Sequence, residues 1–361
     1  MAACAALAGD VTVASLLGSV SASVAASAWL PLLDASLRTG LLQPYGHPGP
    51  HMACSINASR LGRFQEPPGW WLPRFDALVV FPCDATGGAL PGPWPALAFG
   101  IGYAGWPSRY ARMLTHVASH GFVVIAPDTL NGNQVPLLLW QHEQTLLLSL
   151  AFLRQVSAFQ VDLGRCGVFG HSMGASDALV AAALSSNREW AANLGTLPPW
   201  VWPFGPPTLL NLSAPLPDVR AFFSLGMPPE NTFPAALAAV RSRGFFLGGS
   251  GDYFAPPSLE RSFVEAAVQS PRTLAVLSGG THCWVEDLGS PPSECNAANS
   301  PAFQRILLAP AAQLYVTRAL VTAFFAAVLQ GDVAAAGLVE ADTLRHMPLF
   351  SEVADLSAAP F

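Results

Sequence analysis

From about residue 75 onwards, the hydrophobic pattern of the chain alternates between two kinds of segment. Short, continuous apolar runs are typical of strands that are buried on both faces of a parallel sheet. These predicted strands cover residues 76–82, 95–101, 121–127, 166–170, 219–226, 244–249 and 273–279. The longer segments between them predict helices near residues 107–119, 136–157, 174–187, 257–269 and 310–330. This alternation predicts an α/β fold with a doubly wound, mostly parallel sheet and helices on both faces.

Interruptions of this alternation set the predicted domain boundaries. Residues 1–70 are rich in Ala, Pro and Gly and form a predicted N-terminal extension. One α/β domain should follow over residues 71–335, with a C-terminal tail over residues 336–361. Within the domain, residues 188–218 combine Trp and Phe side chains with many prolines. This excursion is either a surface loop that packs its own aromatic side chains or a lid beside the functional site.

Composition and charge restrict the classes of protein to which the chain belongs. Hydrophobic residues make up 52% of the 361 residues, charged residues make up 11%, and the net charge is −6. The chain can therefore bury a large core, and the low charge favours an apolar substrate. Because no block of Lys or Arg is present, we expect no nucleic-acid partner. Composition predicts neither the oligomeric state nor a choice among secreted, organellar and cytoplasmic locations.

Two apolar segments raise the question of targeting or membrane insertion. Residues 11–33 carry no charge and include Ala26-Ser27-Ala28, which resembles a cleavage site, so a targeting segment within residues 1–28 is one interpretation. The other is an ordinary N-terminus, since no basic residue precedes an Ala/Ser-rich stretch. Residues 314–330 include Arg318 and are short for a span, so we expect a buried helix and no integral membrane span.

The six cysteines contain no Cys-x-x-Cys pair, so we expect no structural zinc site. Cys283 and Cys295 flank a Pro-rich loop. Two interpretations stay open for them, a local disulfide and a pair of free thiols.

The chemistry of the chain is predicted to centre on Gly170-His171-Ser172-Met173-Gly174, which follows a predicted strand and precedes a predicted helix. This is the context of a nucleophile elbow, in which small glycines allow a sharp turn that exposes a serine hydroxyl. His171 occupies the variable position of this motif and is predicted to be structural.

A serine nucleophile needs a base. Enzymes with a nucleophile elbow have an acidic residue and then a histidine further along the chain. Downstream of Ser172 there are two histidines, and His282 directly follows a predicted strand, whereas His346 lies in a polar segment and is predicted to be a surface residue. Asp252 follows the preceding strand and is predicted to orient His282, although a loop-capping aspartate is the alternative. Glu286 and Asp287 are second choices for the acid.

An oxyanion hole should complete this site. One donor is predicted to be the backbone N–H of Met173, the residue after the nucleophile. The other is predicted to be the N–H of Tyr103, in the loop after the strand at residues 95–101. Tyr103, Trp106, Met173 and Trp284 are candidates to line an apolar substrate pocket. This chemistry requires no metal and no organic cofactor.

Four segments together resemble the α/β-hydrolase superfamily, and specifically the dienelactone-hydrolase-like branch with its cutinase-like polyester hydrolases and chlorophyllases. They are GYAGWPSRYARMLTHVASHGFVVIAPDT (102–129), VFGHSMGAS (168–176), GGSGDYFAP (248–256) and SGGTH (278–282). They occur in the order that the polyester hydrolases show, and the resemblance covers roughly residues 75–330. The chain departs from those enzymes at Gly249, where they carry a cysteine that bridges to one just after the histidine.

The resemblance implies a serine carboxylic-ester hydrolase that acts on an apolar small-molecule or polymeric ester, with the polyester hydrolases as the first comparison. A chlorophyllase-like esterase and a lipid esterase similar to platelet-activating-factor acetylhydrolases are the alternatives. A catalytically silent hydrolase scaffold that serves as a binding protein is an alternative of another class, although such scaffolds usually lack one member of the triad.

Overall fold

The computed structural model describes residues 42–61, 75–103, 105–128, 140–194, 217–229, 234–283, 285, 308 and 310–356. Within these residues, nine strands form one sheet in the order β1-β2-β4-β3-β5-β6-β7-β8-β9. The strands are β1 (Met52–Leu61), β2 (Phe75–Cys83), β3 (Trp94–Gly100), β4 (Val123–Asp128), β5 (Val161–His171), β6 (Val219–Leu225), β7 (Arg243–Gly249), β8 (Arg272–Leu277) and β9 (Phe350–Asp355). The mostly parallel α/β fold predicted from the hydrophobic pattern is confirmed.

The parallel part of the sheet is formed by β4, β3, β5, β6, β7 and β8. β2 runs antiparallel to β4, although its apolar run resembles the runs of the parallel strands. A continuous apolar run records burial on both faces, which β2 shares with its neighbours, and it does not record strand direction.

The two edge strands come from segments that the sequence analysis placed outside the hydrolase domain. β1 pairs antiparallel with β2, and β9 pairs antiparallel with β8. A disulfide between Cys54 and Cys83, which the sequence analysis did not predict, joins β1 to β2. Neither edge strand has the buried apolar run that marks the inner strands, because each has only one neighbour in the sheet.

Helices cover both faces of the sheet. They are α1 (Gln43–Gly46), α2 (Ala111–Ser119), α3 (Trp140–Gln155), α4 (Met173–Ser186), α5 (Arg188–Leu194), α6 (Pro234–Ala239), α7 (Pro257–Ala266), α8 (Pro310–Phe325), α9 (Val333–Val339) and α10 (Ala341–Arg345). Shorter helical turns are Pro107–Tyr110, Ser157–Phe159 and the π-helical Ala326–Gln330. α2 and α8 pack on one face, and α3, α4 and α7 pack on the other. Alternate residues of each inner strand enter these two cores, as a doubly wound sheet requires.

The apolar segment near the C-terminus is a buried helix, as predicted. Pro310–Gln330 is long and apolar enough to span a bilayer by length and composition, but 78% of its most apolar window is buried inside the fold. The predicted targeting segment (1–28) and most of the Trp/Pro-rich excursion (195–216) lie outside the described residues.

Candidate active site

Ser172 lies at the sharp turn between β5 and α4. Its backbone has φ 55° and ψ −124°, in the left-handed half of conformational space that residues other than glycine rarely occupy. The flanking glycines make this turn possible, because a Cβ on Gly170 would lie 2.0 Å from the Gly174 carbonyl oxygen. A Cβ on Gly174 would lie 2.2 Å from the carbonyl carbon of Gly100 in β3. Strand and helix therefore approach so closely that the Gly-x-Ser-x-Gly spacing is a steric requirement.

Two hydrogen bonds connect Ser172, His282 and Asp252. Nε2 of His282 is 2.8 Å from Oγ of Ser172, and Nδ1 of His282 is 2.8 Å from Oδ2 of Asp252. Because a carboxylate accepts hydrogen bonds, Nδ1 donates to Asp252, which leaves the lone pair of Nε2 directed at the serine hydroxyl. The arrangement can therefore take a proton from Ser172 and stabilise the imidazolium that results.

Asp252 is held by its own loop as well as by His282. Its Oδ1 accepts the backbone N–H groups of Phe254 at 2.9 Å and Ala255 at 2.8 Å. One carboxylate oxygen of Asp252 therefore caps its loop, while the other contacts Nδ1 of His282. The Asp252 side chain is 2% exposed, so its contact with His282 lies away from solvent.

Gln313 of α8 holds the loop that carries His282, and the sequence analysis did not predict this role. Its side-chain oxygen accepts the Thr281 N–H at 2.9 Å, and its side-chain nitrogen donates to the Thr281 carbonyl at 2.6 Å. Both backbone groups of the residue before His282 are therefore fixed by one buried carboxamide. A polar residue within the apolar α8 is the sequence signal that could have revealed it.

The Gly102–Tyr103 loop lies beside the nucleophile. A Cβ on Gly102 would lie 3.4 Å from Cβ of Ser172 and 3.1 Å from both Nδ1 of His171 and Oη of Tyr110, so any other residue here would force those two groups to shift by a few tenths of an ångström. Met173 is the first residue of α4, and the first N–H groups of a helix have no partner within the helix. The positive end of the α4 dipole also lies there, which favours negative charge beside Ser172.

Four exposed aromatic side chains lie in the loops after β3 and β7, which also carry Gly102 and Asp252. Tyr103 is 74% exposed and Trp106 is 38% exposed, whereas the Met173 side chain is only 2% exposed and offers a ligand little surface. Tyr253 and Phe254, which directly follow Asp252, were missed by the sequence analysis and are also exposed. The Phe254 ring lies 5.1 Å from the His282 ring. We name Tyr103, Trp106, Tyr253 and Phe254 the aromatic rim.

A small cavity lies beside His282 and Asp252, and its other lining residues include Gly226 and Gln313. It has room for about one water molecule.

Buried titratable groups near the site are kept uncharged. Burial lowers the pKa of His171 well below its ordinary range, and the neighbouring His282 adds to this effect. Burial raises the pKa of the Glu260 carboxyl well above its ordinary range, against the opposing hydrogen bond from the Met227 N–H, and Asp252 raises it further. Burial therefore favours the protonated, uncharged form of the Glu260 carboxyl.

The remaining predicted residues fall in three groups. His346 is exposed at the end of α10. Trp284, Glu286 and Asp287 lie outside the described residues, so their predicted roles stay predictions. Cys283 is disulfide-bonded, which excludes the free-thiol interpretation for it, and its partner lies outside the described residues. Among the described residues, no cluster of three or more His, Cys, Asp or Glu side chains has the geometry of a metal site.

Comparison with known protein families agrees with this architecture. Residues 78–197 match the family model described as Chlorophyllase. The match runs from β2 to just beyond α5, so it includes the Gly102–Tyr103 loop and the elbow at Ser172. The chlorophyllases are a family of the α/β-hydrolase superfamily, and the nine-stranded, mostly parallel sheet described above has that fold. The chain therefore has an α/β-hydrolase fold and resembles the chlorophyllases over residues 78–197.

Proposed function

We propose that the protein is a serine carboxylic-ester hydrolase that acts on apolar esters through an acyl-enzyme intermediate. The observation that carries this proposal is the pair of 2.8 Å contacts from His282 to Ser172 and to Asp252. In this geometry one neutral imidazole has its donor occupied by a buried carboxylate and its acceptor available to the serine hydroxyl. A serine without such a base is a weak nucleophile at neutral pH.

In the proposed reaction, Oγ of Ser172 attacks the ester carbonyl carbon while Nε2 of His282 takes the hydroxyl proton. Asp252 stabilises the imidazolium through Nδ1 and stays ionised. The N–H groups of Tyr103 and Met173 stabilise the negative oxygen of the tetrahedral intermediate. His282 returns the proton to the leaving alcohol, which departs and leaves an acyl group on Ser172. Water, deprotonated by His282, then attacks the acyl carbon, and the bond between that carbon and Oγ of Ser172 breaks as His282 passes the proton to Oγ, which releases the carboxylic acid and restores the free enzyme.

The aromatic rim favours an apolar substrate. An apolar ligand that covers exposed aromatic side chains removes their surface from water, and this burial stabilises the complex. Within this class, the resemblance of the four motifs to the polyester hydrolases makes a cutinase-like ester the first candidate. The match of residues 78–197 to the Chlorophyllase family favours a chlorophyllase-like ester as the second. A lipid ester of the kind cleaved by platelet-activating-factor acetylhydrolases is the remaining enzymatic alternative.

A fluorophosphonate probe and a substrate panel test the proposal. The wild-type protein should react with the probe and hydrolyse a short-chain p-nitrophenyl ester, and Ser172→Ala should lose both activities. Ser176→Ala is the matched control, because Ser176 is a buried serine one helical turn further along α4 and should leave both activities intact. A panel of chlorophyll, polyester film and phospholipid then ranks the three ester classes. If folded wild-type protein does not react with the probe, the silent binding scaffold replaces this proposal.

A further inference from the structure

Three hydrogen bonds connect the oxyanion loop to the His282 loop through the interior of the protein. The Gly102 N–H donates to Oη of Tyr110 at 3.2 Å, and Oη of Tyr110 lies 2.9 Å from Nδ1 of His171. Nε2 of His171 lies 2.7 Å from the backbone carbonyl oxygen of His282. His171 is the variable residue of the elbow, so this connection passes directly beside Ser172.

The chemistry of the groups fixes the direction of all three bonds. A carbonyl oxygen accepts, so Nε2 of His171 must donate to His282. Burial lowers the pKa of His171 well below its ordinary range, and the neutral ring that results has an acceptor at Nδ1. The Tyr110 hydroxyl therefore donates to His171 and accepts from Gly102. In this series of three hydrogen bonds, each donor therefore meets an acceptor, as polar groups buried this deeply require.

This chain of bonds acts on the peptide that carries the proposed oxyanion donor. The Gly102 N–H is held by Tyr110, and the Gly102 carbonyl accepts the Gly105 N–H at 2.9 Å. In a planar trans peptide, the N–H of Tyr103 points opposite to the carbonyl of Gly102. Fixing both backbone groups of Gly102 therefore fixes the direction of the Tyr103 N–H.

We propose that Tyr110 and His171 are positioning residues that keep the Tyr103 N–H and the His282 backbone aligned with Ser172. The inference rests on the proposed ester-hydrolase function and extends it to two residues that do not touch the substrate. A purely structural role is the competing interpretation, since the Tyr110 ring is fully buried and lies 4.7 Å from the Phe99 ring.

Tyr110→Phe separates these two roles because it removes only the hydroxyl and keeps the ring. We expect kcat for a p-nitrophenyl ester to fall by roughly 10-fold to 100-fold, because misplacing a catalytic group by a fraction of an ångström to 1 Å has effects of this order. KM should change by less than about 3-fold, since the oxyanion forms only in the transition state. Fluorophosphonate labelling should slow with kcat, because its phosphoryl oxygen uses the same two N–H donors.

Tyr45→Phe is the matched control. Tyr45 is also a buried tyrosine, and its hydroxyl donates to Asp332 at 2.7 Å, outside the site. This variant should lose similar stability and keep the wild-type kcat. Exhaustive labelling with the fluorophosphonate counts the folded, reactive molecules in each preparation. Dividing the rate by this number gives kcat per folded molecule, so partial unfolding of Tyr110→Phe does not imitate the predicted effect.

His171→Phe and the double variant complete a cycle. If Tyr110 acts through His171, the double variant should be little slower than His171→Phe alone, because effects of residues that act as a unit are not additive. The inference is overturned if Tyr110→Phe matches Tyr45→Phe in kcat per labelled site, or if the two effects multiply. Ser172→Ala distinguishes the failures: turnover that survives it removes the proposed function, whereas its loss beside a normal Tyr110→Phe removes only this inference.

Discussion

Gly226, directly after β6, offers a sharp test of how closely the catalytic groups are packed. It has φ +57°, and a Cβ built on it would lie 3.0 Å from Oδ2 of Asp252 and 3.2 Å from Nδ1 of His282. These are the two atoms that share the Asp252–His282 hydrogen bond. Gly226→Ala therefore places a methyl group against that bond and forces the pair to move by a few tenths of an ångström.

The expected effect has two parts. An alanine at positive φ destabilises the fold by about 1–2 kcal/mol wherever it occurs. Displacement of the Asp252–His282 pair should add a fall in kcat of roughly 10-fold to 100-fold, with little change in KM. Gly331 isolates the first part, because it has φ +71° and a Cβ there would meet nothing within 4 Å. Gly331→Ala should lose similar stability and keep its activity.

Urea unfolding and steady-state hydrolysis of a p-nitrophenyl ester measure the two parts separately. The reasoning holds if both variants lose comparable free energy of unfolding while only Gly226→Ala loses kcat. Equal kcat values in the two variants would refute it, because the methyl group at Gly226 would then leave the Asp252–His282 pair undisturbed.

Three further predictions follow from buried groups outside the reacting atoms. Because the pKa of Glu260 is raised in the folded state, the stability that this carboxyl contributes is complete below about pH 4.5, the ordinary pKa of a glutamate, and is lost as the pH rises towards the folded-state pKa. Glu260→Gln should therefore melt at a higher temperature than wild type at pH 8. The difference in melting temperature, measured by differential scanning calorimetry, should shrink towards pH 5. Gln313→Leu removes the hydrogen bonds that the side chain makes to both backbone groups of Thr281, so urea unfolding should show a free energy of unfolding lower by about 1–3 kcal/mol. Because His282 follows Thr281, kcat should also fall by roughly 10-fold. An unchanged kcat would contradict the positioning role of Gln313. Replacing Cys54 and Cys83 by Ser opens a loop between residues 29 positions apart and should lower stability by about 3–4 kcal/mol without changing KM, as chemical unfolding and kinetics of the folded variant can measure.

The inner strands, and the contact among Ser172, Asp252 and His282, could be predicted because their signals are local. Each inner strand is a continuous apolar run bounded by turns, and the structure places strands at all seven predicted positions within a few residues. Ser172, Asp252 and His282 follow the parallel strands β5, β7 and β8, and the carboxyl ends of parallel strands meet at one edge of a sheet. Local pattern together with chain order is therefore sufficient to predict that these three side chains come together.

The supporting residues could not be predicted because their partners are distant in sequence. Tyr110 and His171 are 61 positions apart and Gln313 is 32 positions from Thr281, so no periodicity links either pair. The edge strands β1 and β9 were missed for a related reason, since a strand with one neighbour has a mixed polar pattern that resembles a loop. The hydrophobic pattern of the sequence therefore does not reveal the long-range contacts that hold Ser172, Asp252 and His282 in place.

The order of the strands along the chain has a consequence for biosynthesis. Ser172, Asp252 and His282 follow β5, β7 and β8, while Gln313 and the edge strand β9 come later still. When the segment with Ser172 and α4 has emerged from the ribosome, the nascent chain therefore contains the serine motif but does not yet contain His282. The contacts among Ser172, Asp252 and His282 can form only after His282 has been synthesised, and the support from Gln313 comes later still. Reactivity towards a fluorophosphonate in stalled nascent chains of increasing length would thus report completion of the fold rather than emergence of the nucleophile.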